Sequence, residues 1–216
     1  MNREEAVSEL IEAGKWIMEH RMTWGSSGNL SLKLDDGRVL ITASGTRLGS
    51  LHADDFAICA PDGSWNGHKP SKELSCHLAV YRSVPWARAV IHVSPYYTTL
   101  AASTDLHLPN DLFIENMYYL QRITYVPYAH PGSTDLAESI GKAAVENNVI
   151  LMRNHGVMLY DEKLSEALCG IEVLENTCRM AVDAAHSGLR FQTVPPEQYQ
   201  DFLLRSGYRP PRPWNL

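Results

Sequence analysis

Three short stretches, NLSLKL (29–34), RVLITA (38–43) and FAICAPDGSWNG (56–67), most constrain what this chain can fold into. Each alternates apolar with polar residues or runs apolar and β-branched, and Asp-Gly pairs punctuate them. A period of two broken by such turns predicts an antiparallel meander through residue 67. On either side the period changes. Residues 4–22 carry Val7, Leu10, Ile11, Gly14, Ile17 and Met18 at helical spacing, which predicts an amphipathic helix opening the fold.

Beyond the meander, strands and helices take turns. A helix is expected over 72–82 with Ser71 as its N-cap, then a strand over 90–93, a helix over 96–102 and a strand over 123–127. Further helices are expected over 133–146 and 164–187. Between them VILMRNHGVMLY (149–160) reads as two strands turning at Asn154-His155-Gly156. Locally paired strands followed by strands with intervening helices predict an α/β fold: a mixed, largely antiparallel sheet with helices on both faces. At 216 residues the chain reads as one domain, 1–216. Its proline-rich tail, about 207–216, is expected to cross the surface or a neighbouring subunit.

The formal net charge of −6, without a run of Lys or Arg, argues against a nucleic-acid or acidic-membrane partner, so any bound anion must be held locally. No apolar run approaches the roughly 20 residues of a membrane helix. Cys59, Cys76, Cys169 and Cys178 lack CxxC spacing, and the N-terminus has no basic-then-apolar signal segment. These features predict reduced, core-packed thiols in a cytoplasmic protein.

Three turns rich in small hydroxyls stand out. WGSSGNLSLK places Gly, Ser and Asn29 before a strand, TASGT (42–46) ends another, and PSKE (70–73) opens a helix. Backbone N–H groups and hydroxyls in such turns form concave anion sites without help from net charge. Glu73 lies beside the third turn. His77, four residues on, shares its helical face and is expected to orient it. His92 ends one apolar strand and His155 lies between two others, positions from which imidazoles can face a common cleft and bind a divalent metal.

Taken in order, GSSGNLS, LITASGT, PSKE, AVIH, VPYAHPGS and RNHG resemble the class II aldolase and adducin family, from the first helix to about residue 185. The likeness is strongest to its fuculose-phosphate aldolases. It implies an α/β/α three-layer fold around a mainly antiparallel mixed sheet, in a homotetramer with active sites between subunits. Carried over by position, it assigns the substrate phosphate to Ser26, Asn29, Ser44, Gly45, Ser71 and Lys72. Glu73 takes the acid/base role, and His92 and His155 match two metal-binding histidines. The third falls on Ser94, which implies a weakened site for zinc or manganese. A tyrosine used by some family aldolases falls on Phe113, and Tyr208 matches the family's C-terminal tyrosine through its Gly-Tyr pair.

The resemblance implies a metal-dependent lyase acting on a small phosphorylated sugar or sugar acid. Retro-aldol cleavage and decarboxylation both leave an enediolate that a divalent Lewis acid stabilises, with Glu73 moving the proton. A sugar-phosphate 4-epimerase is the enzymatic alternative. A non-catalytic, adducin-like scaffold is the other, and it has no need of Glu73, His92, His155 and three phosphate-type turns.

Overall fold

The computed structural model describes residues 1–215; Leu216, at the end of the expected tail, lies outside them. Helix α1 (Arg3–Glu19) is opened by a capping box, in which Asn2 accepts from the Glu5 backbone and Glu5 from that of Asn2. It stops short of the expected residue 22 because Arg21 turns into left-handed backbone at φ 57°. Strands β1 (Asn29–Lys33), β2 (Val39–Thr42), β3 (Phe56–Cys59) and β4 (Trp65–Asn66) form the expected meander.

The chain then runs through α2 (Leu74–Ser83), β5 (Ala89–Val93), α3 (Tyr96–Ala102), α4 (Ile114–Tyr119), β6 (Ile123–Val126) and α5 (Thr134–Ala144). It continues as β7 (Val149–Met152), β8 (Gly156–Asp161), α6 (Leu164–Ser187) and α7 (Pro196–Arg205). Among the described residues the sheet has eight strands in the order β4-β3-β2-β1-β5-β8-β7-β6, and only β6 and β7 pair in parallel. The mixed, largely antiparallel architecture expected from the sequence is borne out.

Alternation decides which residue serves which layer. Leu30 and Leu32, Ile91 and Val93, and Val157 and Leu159 pack beneath α1, α3 and α6. Ile41, Val90, Ile150 and Met158 face the opposite way, under α2 and α5. Residues two apart share a face, so His92 projects with Val90 toward the α2 side. Ser31, between two core leucines of β1, does the same, and it is fully buried.

Two helices were not expected. The six-residue α4 is too short to show a period, and no side chain caps it. Helix α7 buries no residue completely, and its apolar side chains Tyr199, Phe202 and Leu203 are only half-buried. One boundary is corrected. Ser71 does not cap a helix from residue 72, because α2 starts at Leu74 with Glu73 in the N-cap position. The Ser71 N–H donates to the Thr42 carbonyl, and Ala43 bridges Pro70. These bonds keep 70–71 extended beside β2 and delay the helix.

Candidate active site

Glu73 sits where α2 meets the ends of β1 and β5, and it is buried. Its Oε2 lies 3.2 Å from His92 Nε2, and its Oε1 lies 3.3 Å from His155 Nε2. The three residues bring their ligand atoms within 4.8 Å of one another. His92 reaches the cluster from the end of β5. His155 reaches it from a three-residue turn in which Asn154 adopts φ 56°, a left-handed conformation that Asn tolerates better than most residues. Gly156 permits the approach: a Cβ there would stand 2.6 Å from the Val93 carbonyl oxygen and 2.7 Å from Ser94 Oγ.

Hydrogen bonding fixes the ring chemistry. His92 Nδ1 lies 3.0 Å from the Val157 carbonyl, which only accepts. The ring therefore carries its proton on Nδ1, and in the neutral imidazole the Nε2 lone pair faces Glu73. Burial, and then neighbouring His92, lower the His155 pKa against the opposing pull of Glu73. Burial pushes the Glu73 carboxyl up, but His92, the Asn29 amide, His155 and His77 together hold it below the ordinary carboxylate value.

A carboxylate facing the His92 Nε2 lone pair is a pair of acceptors lacking a cation. Glu73 Oε1 and His155 Nδ1 are buried without a hydrogen-bond partner. The donor set of two imidazoles and a carboxylate fits a divalent metal ion.

The hydroxyl-rich turns gather at this point. Ser44 N–H donates to the Lys69 carbonyl and Ser71 N–H to that of Thr42, which ties turn 42–46 to turn 69–73. Gly45 adopts φ 87°. Ser26, Ser44, Gly45 and Lys72 are exposed, and Ser71 is half-buried with its Oγ accepting from the Glu73 amide at 3.3 Å. Gly132 of the HPGS loop passes so close to Lys72 that a Cβ would lie 2.6 Å from the Lys72 carbonyl oxygen.

Asn29 is buried and donates through Nδ2 to Glu73 Oε2 at 2.8 Å. His77 bonds to Asn29 Oδ1 at 2.5 Å rather than to Glu73, which corrects the expected direct contact. Ser94 Oγ lies 3.2 Å from Ser27 Oγ and donates to the His155 carbonyl at 3.3 Å.

Tyr208 is not brought to Glu73 within the chain. Its hydroxyl donates to Glu115 at 3.4 Å and its ring packs on Tyr118 and Phe202. A cavity of about 630 Å³ lined by Trp16, Leu32, Leu164 and Leu168 lies on the α1/α6 side of the sheet, away from the cluster.

Residues 8–182 match the model of the class II aldolase and adducin N-terminal domain. The chain belongs to this family. It is 37% identical over 191 residues, 86% of this chain and 90% of the relative, to the 3-oxo-tetronate 4-phosphate decarboxylase of Escherichia coli K12. It is 32% identical over 175 residues, 81% of this chain and 94% of the relative, to the L-fuculose phosphate aldolase of Methanococcus vannielii. Among solved structures, an L-fuculose 1-phosphate aldolase superposes with a TM-score of 0.85 at 24% identity, covering 94% of this chain and 97% of that one. That match bears on the fold alone. The expected class, a carbon–carbon lyase of the class II aldolase type, is borne out at that level.

Ser31 and Tyr81 were not singled out from the sequence. A serine between two leucines in β1, and a histidine and tyrosine four apart on the facing helix, were the available signal.

Proposed function

We propose that the chain decarboxylates a phosphorylated 3-oxo sugar acid, with a divalent metal ion held by His92, His155 and the Glu73 carboxylate. The observation that carries this reading is the meeting of two imidazole nitrogens and a buried carboxylate with an unpartnered oxygen. When bound, such an ion draws electron density from the substrate's carbonyl oxygen, which stabilises the charge left as a neighbouring carbon–carbon bond breaks. Zinc and manganese both suit the donor set, and a serine at position 94 leaves the ion exchangeable.

Ser26, Ser44, Gly45, Ser71 and Lys72 hold the phosphate, with Asn29 lending its remaining Nδ2 hydrogen. Lys72 supplies the one full positive charge in this group. Departure of carbon dioxide leaves its bonding pair on the substrate. Glu73, having taken a proton from solvent, delivers it to the carbon that lost the carboxylate.

Phe113 favours decarboxylation over aldol cleavage. Retro-aldol chemistry must move the proton of a hydroxyl as well as protonate carbon, and a phenyl ring moves none. Aldol cleavage remains the second reading, on the strength of the Methanococcus relative. We further infer a cytoplasmic homotetramer with sites between subunits, to which Tyr208 of a neighbouring subunit contributes.

The test supplies 3-oxo-tetronate 4-phosphate and L-fuculose 1-phosphate separately, with zinc or manganese, and follows carbon dioxide and aldehyde release. Carbon dioxide from the first without aldehyde from the second is expected, and the reverse pattern replaces decarboxylation with aldol cleavage. Glu73→Gln is expected to lower kcat by about 10²- to 10⁴-fold, the usual worth of a positioned acid/base. Retained turnover removes Glu73 from the chemistry.

A further inference from the structure

Behind Glu73 runs a buried chain of polar groups that, apart from Asn29, the proposed reaction does not use. Asn29 Nδ2 lies 2.8 Å from Glu73 Oε2, and His77 Nε2 lies 2.5 Å from Asn29 Oδ1. Ser31 Oγ lies 2.7 Å from His77 Nδ1 and 2.8 Å from the Tyr81 hydroxyl, which also lies 3.1 Å from the Ser31 carbonyl. Ser31 and His77 are fully buried, Asn29 is 6% exposed and Tyr81 7%. Polar groups at such depth are kept only where each finds a partner.

The Asn29 NH₂ faces Glu73 Oε2, which leaves its carbonyl oxygen facing His77. That oxygen only accepts, so His77 carries its proton on Nε2. Burial keeps the ring neutral, pushing its pKa down to about 3. Nδ1 is then an acceptor and receives the Ser31 hydroxyl proton, while the single Tyr81 hydroxyl proton is shared among Ser31 Oγ and the Ser31 and Arg88 carbonyls. From Ser31 to Glu73 the donors point toward the carboxylate. An amide plane turned by half a revolution would set its oxygen against the carboxylate and its NH₂ against the His77 N–H, so His77 opposes the turn together with Glu73.

The two oxygens of Glu73 consequently differ. Oε2 is held by Asn29, whereas Oε1 has no hydrogen-bond partner. We propose that His77 is a positioning residue, acting through Asn29 to hold Glu73 by Oε2 so that Oε1 is left turned toward the metal and substrate side of the site. The proposal rests on the acid/base role assigned to Glu73 above. His77 neither touches substrate nor changes charge. It selects the orientation of an amide, and through it that of the carboxylate, a geometric condition on which proton-transfer rates depend steeply.

The experiment combines a tautomer measurement with a variant series. Nitrogen-15 histidine NMR on the wild-type protein without added substrate is expected to show His77 as the neutral Nε2–H tautomer. The Nδ1–H tautomer would overturn the proposal whatever the enzyme's activity. His77→Leu removes donor and acceptor together, and kcat for 3-oxo-tetronate 4-phosphate is expected to fall about 10- to 100-fold with KM changed less than about threefold, as for a misplaced acid/base. His77→Gln, which again offers an N–H toward Asn29, should recover most of that loss.

Adding His77→Leu to Asn29→Ala should lower kcat no further, because the first acts only through the second. Additive losses, or no rescue by glutamine, overturn the proposal. Should His77→Leu fail to fold, Ser31→Ala, which deletes only the hydroxyl behind His77, is expected to lower kcat about three- to tenfold, and unchanged kcat there counts against it. Glu73→Gln separates the two layers of argument. If that variant is inactive while His77→Leu keeps full kcat, only the positioning role fails. If Glu73→Gln turns over, the functional reading fails with it.

Discussion

In the proposed site, Ser94 would set how firmly a metal ion is held. It lies two residues after His92, at the end of the same strand, and its hydroxyl is occupied by Ser27 and the His155 carbonyl. A catalytic zinc site ordinarily has three protein ligands. With a serine committed to neighbouring groups, the ligands left are two imidazoles and a carboxylate that is also wanted for proton transfer. Ser94→His offers a third imidazole on the face that His92 occupies. Metal titration is expected to show tighter zinc binding in the variant by at least about tenfold, with the wild type surrendering its metal on dialysis against chelator. Equal affinities would show that position 94 does not govern the site. Glu73, His92 and His155 were legible in the sequence because each stands at the end of an apolar element, where a polar side chain has few structural uses. The coupling of Asn29 to His77 was not, because it depends on which face of β1 lies under α2, and spacing along one chain does not report that.

At the scale of elements, the β7–β8 hairpin carries the most constraint in the smallest space. Its turn holds Asn154 in left-handed backbone and delivers His155, while Gly156 lets β8 begin in contact with the end of β5. Gly156→Ala places a methyl against the Val93 carbonyl, and backbone in the middle of a sheet has little freedom to yield. We expect about 1–3 kcal/mol of destabilisation in urea unfolding, together with weaker metal binding as His155 is displaced. A variant as stable as wild type, binding metal equally well, would show that the strands can part at no cost. The sheet was readable in advance because its strands alternate cleanly between two cores. Two uncapped helices escaped: α4 is six residues long and follows Phe113, and α7 lies on the surface with no side-chain cap and no fully buried residue.

At the scale of the whole molecule, the tail acts as a strap across its own chain. The Tyr118 hydroxyl donates to the Pro210 carbonyl at 3.2 Å, Arg209 pairs with Glu166 at 2.7 Å, and Trp214 Nε1 donates to Gln121 at 3.1 Å. Its anchor is Arg212, 4% exposed, which pairs with the buried Asp161 at the end of β8 and lies near the rings of Tyr118 and Trp214. Burial pushes the Asp161 carboxyl up while Arg212 opposes it, so the charge on Asp161 depends on the arginine staying in place. Breaking one side of such a pair is worse than losing both, because a lone buried carboxylate keeps its desolvation cost with nothing to offset it. Arg212→Ala is therefore expected to destabilise the protein by about 3–5 kcal/mol. Arg212→Met combined with Asp161→Leu should lose much less, since apolar groups of similar size need no partner. Urea unfolding of the three proteins decides the matter. If Arg212→Ala lies within about 1 kcal/mol of wild type, the range of an ordinary surface substitution, the tail is an ornament on the fold. If the single variant is damaged and the double variant recovers, the strap is held by this one buried pair, and Tyr208 stays where Arg212 keeps the tail.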